Sequence, residues 1–160
     1  MHRLLLLVLA TASAPAAAGP RRVSTLSTFD RPALERVRTA AARRLQEPEC
    51  LRVLDDFRDG LGRPLRLSLD RWGMSAAEYL AIIPFLDGSS LGACRWRGAE
   101  MVSSPGVPRV YVCGRFAVTQ IRERPRAEFL LIHEMLHTLG LGEDPPSSLE
   151  ITQRVKGRCS

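Results

Sequence analysis

The chain has 160 residues and a formal net charge of +6, from 23 lysine and arginine residues against 17 aspartate and glutamate. All the cations but Lys156 are arginine; they are scattered along the chain, and aromatic residues make up only 6% of it. That pattern excludes the aromatic-and-basic platform used to stack single-stranded nucleic acid and leaves only a weak general attraction to anionic surfaces.

The first elements in chain order concern export. Met1-His2-Arg3 precedes an apolar run from Leu4 to Ala10, and small residues follow to Gly19. A short basic start, an apolar centre and Ala16-Ala17-Ala18 before Gly19 make the pattern of a cleaved signal peptide over residues 1–18. The apolar run is too short to span a bilayer, and Pro15 interrupts its end. No cysteine flanks the cleavage point for lipid attachment. A secreted or periplasmic location is therefore expected, without stable membrane insertion once the leader is removed. Residues 19–160 are enough for one compact domain with its own core, expected to be monomeric.

Gly19 to Thr28 reads as a polar lead-in. Asp30-Arg31-Pro32 then opens a helix, with proline early in its first turn. Ala33, Leu34, Val37, Ala40, Ala41 and Leu45 give it an apolar stripe, and Pro48 stops it. A second short helix is expected over Cys50–Phe57, closed by Gly60 and Gly62. Leu65-Arg66-Leu67-Ser68-Leu69 alternates apolar and polar residues, which predicts a half-buried strand. Ser75 can cap a helix through Ala76–Leu80, whereas Ile82–Leu86 is equally compatible with extended chain. Asp87–Ser90 and Ser103–Pro108 read as loops, with a strand between them over Gly92–Val102. Val110–Cys113 is the clearest strand. Pro125 opens a long helix to about Leu139, and Ser148 caps a final helix from Leu149 to about Val155.

Four cysteines, Cys50, Cys94, Cys113 and Cys159, in an exported chain imply two disulfides. Three connectivities are possible. Cys94–Cys113 with Cys50–Cys159 is preferred, because the second bond would tie down a C-terminal tail with little else to hold it. No CxxC pair is present, which argues against a cysteine metal site.

The chemistry concentrates in His133-Glu134-Met135-Leu136-His137. Two histidines four residues apart project from one helix face and can grip one metal ion. A glutamate beside the first can deprotonate a water held by that metal. This is an HExxH arrangement, and the chain resembles the zincin metallopeptidases there. With Gly140 and Glu143 the longer string reads HExxHxxGxxE, similar to the metzincin pattern with glutamate in place of the last histidine. Peptidases of the snapalysin type also place a carboxylate there. Unlike metzincins, the chain has no methionine beyond Met135 to form a methionine turn.

The resemblance implies an α+β fold: a small zincin-like domain, with a short mixed sheet packed on the HExxH helix and flanking helices. It implies Zn²⁺ held by His133, His137 and a carboxylate. Glu143 is preferred for that carboxylate, with Glu150 and Asp144 as alternatives. Glu134 would be the general base for hydrolysis of a peptide or protein substrate, and Tyr79 or Tyr111 would be a second oxyanion donor. In zincins the substrate pairs along the sheet edge above the metal; Val110–Val112 is read instead as a core strand. Two other readings stand beside the enzyme. One is a catalytically inactive, metal-binding zincin-like module of the cell envelope. The other is a disulfide-stapled envelope protein whose helix merely contains the pattern.

Overall fold

A computed structural model describes residues 30–96 and 98–160. The expected signal peptide and the polar lead-in lie outside the described residues. The order of elements is α1 (Asp30–Arg44), α2 (Pro48–Leu51), α3 (Val53–Asp56), α4 (Arg66–Trp72), α5 (Ala76–Ile82), β1 (Phe85–Asp87), α6 (Gly92–Trp96), β2 (Met101–Ser104), β3 (Val107–Val112), α7 (Phe116–Arg122), α8 (Arg124–Thr138) and α9 (Ser148–Cys159). The fold is α+β. No helix among the described residues is long and apolar enough to cross a membrane.

The long helix α8 is the axis of the domain, packed by α1, α7, α9, β2 and β3. Its second half is buried on every side, from Leu131 through Thr138. A helix covered all round needs partners for any polar side chain it carries. To the core around it, α1 contributes Leu34, Val37 and Ala41 at helical spacing, and Leu45 follows just past its end. Arg44 adds an ion pair at 2.6 Å to Glu128 of α8, and its guanidinium lies 4.9 Å from the centre of the Phe129 ring.

The sheet is small and mixed, in the order β1-β3-β2. β1 runs parallel to β3, with Leu86 opposite Tyr111, and β2 runs antiparallel, with Ser103 opposite Val110. Val110–Val112 is thus central rather than an edge. Because side chains alternate along a strand, Met101, Ser103, Val110 and Val112 share the face toward α8, and Val102 and Tyr111 share the other.

Five sequence expectations are corrected. Leu65–Leu69 is helical, not extended: Leu65, Ser68 and Leu69 are buried while Leu67 is 43% exposed, a spacing of three and four rather than two. Arg66 locks that helix to α3 through two bonds to Asp55, and Gly73 ends it in the left-handed conformation. Within Gly92–Val102, Gly92–Trp96 forms the helical turn α6, and only Met101-Val102 is strand. Ser103–Pro108 is a hairpin rather than a loop, with Pro105-Gly106 turning β2 into β3. Proline followed by a glycine at φ +73 suits a tight turn of the kind that needs positive φ at its second central residue. The expected Cys50–Phe57 helix is broken into α2 and α3 at Arg52. The last helix is capped by Ser147 rather than Ser148, in a reciprocal capping box with Glu150.

Both disulfides join the expected partners, Cys50–Cys159 and Cys94–Cys113. Disulfides belong to oxidising compartments, as outside the cell. The first fastens the end of α9 to α2, where Arg158 also pairs with Glu49 and, at 2.9 and 3.0 Å, with Asp56. In chain-entropy terms a bond spanning 109 residues stabilises more than one spanning 19. Replacing Cys50 and Cys159 by serine should cost about 1.5 kcal/mol more than replacing Cys94 and Cys113. Denaturant unfolding of the two double variants checks this order.

Candidate metal centre

Helix α8 sets His133 and His137 one turn apart on the same face. Their Nε2 atoms lie 3.0 Å from each other. The chain then leaves the helix through Gly140, at φ +115, and returns Glu143 to the same point. Glu143 Oε1 is 3.2 Å from Nε2 of His137 and 3.5 Å from Nε2 of His133. Among the described residues these are the side chains that gather as potential metal ligands. Of the other carboxylates considered, Glu150 is exposed and engaged by Ser147 in the α9 capping box, and Asp144 stays outside the group.

Gly140 is required twice over. An L side chain is strained at its φ, and a Cβ there would sit 3.0 Å from Cβ of Asp59. Asp59 has little freedom to yield, because its carboxylate accepts from the backbone N–H of Leu61 and Arg63 and from the Arg63 guanidinium.

Each imidazole is oriented by its other nitrogen. His137 Nδ1 is 2.7 Å from the carbonyl of Leu141. A carbonyl only accepts, so Nδ1 carries a proton, and in a neutral ring the lone pair is then on Nε2. His133 Nδ1 is 3.0 Å from the hydroxyl of Thr152 on α9, which accepts as readily as it donates. Burial pushes His133 down to about 4, with the neighbouring His137 adding to the effect and Glu143 opposing it.

Glu134 points to the cleft beside these donors. Ser103 of β2 donates to its Oε2 at 2.6 Å. Burial pushes Glu134 up, and the Ser103 bond pulls against that. The cleft has a volume of about 320 Å³ and lies between β2 and the end of α8, with Met101, Ser103, Glu134, His137 and Glu143 among its walls. The hairpin turn is registered on the helix, because Gly106 N–H donates to the carbonyl of His137 at 2.9 Å.

Neither expected tyrosine reaches this cleft. Tyr79 is buried behind α8, donating to Thr138 Oγ1 at 3.1 Å. Burial also pushes its phenol up. Tyr111 lies on the sheet face turned away from α8. Sequence reasoning did not find Ser103 or Thr152, since no local spacing ties either to the histidine helix. Two histidines, a carboxylate and a nearby buried glutamate form a set that can hold a divalent cation and move a proton beside it.

Protein-family models, curated proteins and solved structures were all compared with the chain, and none matches.

Two outcomes are expected. Gly140→Ala should destabilise the fold by about 1–3 kcal/mol and weaken metal binding by displacing Glu143; denaturation and metal titration measure both. In metal-free protein the His133 ring should stay neutral down to about pH 4. Between about 4 and the ordinary 6.5 the unfolded chain binds a proton that folded His133 excludes. Its contribution to stability is therefore complete above pH 6.5 and is lost as pH falls toward 4, while the raised Glu134 acts in the opposite sense. Histidine-resolved NMR titration separates the two.

Proposed function

We propose that the chain is a secreted zinc-dependent metallopeptidase, hydrolysing peptide bonds with Glu134 as general base. The observation that carries this is the meeting of Nε2 of His133, Nε2 of His137 and Oε1 of Glu143 at 3.0 to 3.5 Å from one another. Tetrahedral zinc, with ligand bonds of about 2.0–2.1 Å, sets its donor atoms roughly 3.3–3.4 Å apart. Two imidazole nitrogens and one carboxylate oxygen also make a donor set characteristic of catalytic zinc, which leaves a fourth position for water.

When bound, zinc acidifies a water and polarises the scissile carbonyl. The residues of the chain do the rest. Leu141 and Thr152 hold the two imidazoles with Nε2 inward, a support that orients ligands and raises their basicity. Glu134 takes a proton from the attacking water and passes it to the leaving amine. The outer edge of β2, which has β3 alone as its strand neighbour among the described residues, flanks the cleft and offers backbone groups to an extended peptide.

A second reading, a zincin-like module that binds metal without turnover, draws on two observations. No methionine follows Met135, and among the described residues lining the cleft none is a tyrosine.

Elemental analysis of the oxidised protein should give about one zinc per chain, lost in His137→Ala. Glu134→Gln should keep the zinc and lose peptide hydrolysis by roughly 10²-fold or more. Wild-type protein that binds zinc but cleaves nothing in a broad peptide library would establish the module instead. Glu143 in place of a third histidine makes the site less positive, so activity should be greatest at or above neutral pH. An optimum well below neutrality contradicts that ligand set.

A further inference from the structure

We propose that Ser103 is a positioning residue for Glu134, an inference that rests on the metallopeptidase reading of the same site. Ser103 lies in β2, an edge strand outside the histidine helix and 31 residues from Glu134. Its hydroxyl donates to Glu134 Oε2 at 2.6 Å, within the range of a short hydrogen bond to an ionised acceptor. Among the described residues this is the single hydrogen bond on the Glu134 side chain, and no arginine or lysine pairs with it. The other oxygen, Oε1, makes no hydrogen bond within the described protein and is not fully sealed from solvent. One oxygen is therefore tethered while its twin is left open at the cleft, where a water would be deprotonated.

The strand is built to hold that hydroxyl in place. The β2–β3 register shifts between Ser103 and Ser104. Such irregularities bend a strand and re-aim its side chains. Immediately beyond, the Pro105-Gly106 turn is fixed to the end of α8 by the Gly106 N–H bond to the His137 carbonyl. Ser103 is thus pinned to the helix that carries its acceptor. A glutamate side chain otherwise has several rotatable bonds to order. A displacement near 1 Å at a reacting group can cost on the order of 10²-fold in rate.

The test compares wild type, Ser103→Ala and Ser103→Thr, by crystallography of the metal-free proteins and by kinetics of the zinc-loaded ones. Ser103→Ala should release the Glu134 carboxylate from its wild-type position and leave zinc stoichiometry intact. It should lower kcat by about 10- to 100-fold with KM changed less than about twofold. Ser103→Thr, which keeps the hydroxyl on a strand-favouring side chain, should restore both position and rate. Glu134 unmoved in the Ser103→Ala crystal structure, or kcat unchanged with zinc bound, overturns the proposal. If zinc-loaded wild type hydrolyses no peptide, the metallopeptidase reading fails. The crystal structures alone then decide whether Ser103 positions Glu134.

Discussion

From Leu131 to Thr138, α8 is buried on every side, yet His133, Glu134 and His137 place imidazole and carboxylate groups in that stretch. A buried polar group left without a partner costs about 1–3 kcal/mol, and more if charged. The surroundings of the helix answer this demand from four directions. Thr152 comes from α9, the Leu141 carbonyl from the chain leaving α8, Ser103 from the sheet, and Glu143 from the loop beyond Gly140. Elements distant in sequence are thus held in common register by the polar needs of one helix turn.

Satisfying those outer atoms creates the chemistry at the inner ones. With the Nδ1 proton of His137 committed to a carbonyl, its Nε2 faces His133 Nε2 and Glu143 Oε1 as an acceptor among acceptors. A proton on either Nε2 or on the carboxylate, or a cation, relieves that convergence of lone pairs. Burial already drives His133 away from a second proton. The three donors together make a group that could hold a metal ion. Glu134, about a quarter of a turn aside and tied through its own oxygen to β2, remains outside the convergence and free to exchange a proton.

The part of this legible in the sequence is the part with local periodicity. Histidines four apart, glycine three residues after the second and a carboxylate three further on are set by helix geometry and one turn, and these residues do meet. The Cys50–Cys159 pairing followed from the want of any other anchor for the tail. Leu65–Leu69 misled because three leucines alternate in sequence, although Leu67 points outward from a helix. α7 was missed for a related reason: Val118 and Ile121 face solvent while Phe116 and Thr119 are buried, so apolar character does not mark its inner face. Ser103 and Thr152 had no local signal at all. Their roles exist only once β2 and α9 are packed on α8.

The dependence on α9 also gives the long disulfide a place in the site. Ile151 and Val155 bury one face of α9, and between them Thr152 meets His133. The far end of that helix is held by Cys159 to Cys50, by Arg158 to Asp56 and Glu49, and by Arg44 to the Cys159 carbonyl. Arg44 also grips Glu128 on α8, so one guanidinium joins α1, α8 and the end of α9. A bond at residue 159 thereby fixes a hydroxyl two turns earlier, and through it one face of an imidazole. The tail has a stabilising role and also completes the support of His133, which the histidine helix cannot provide for itself.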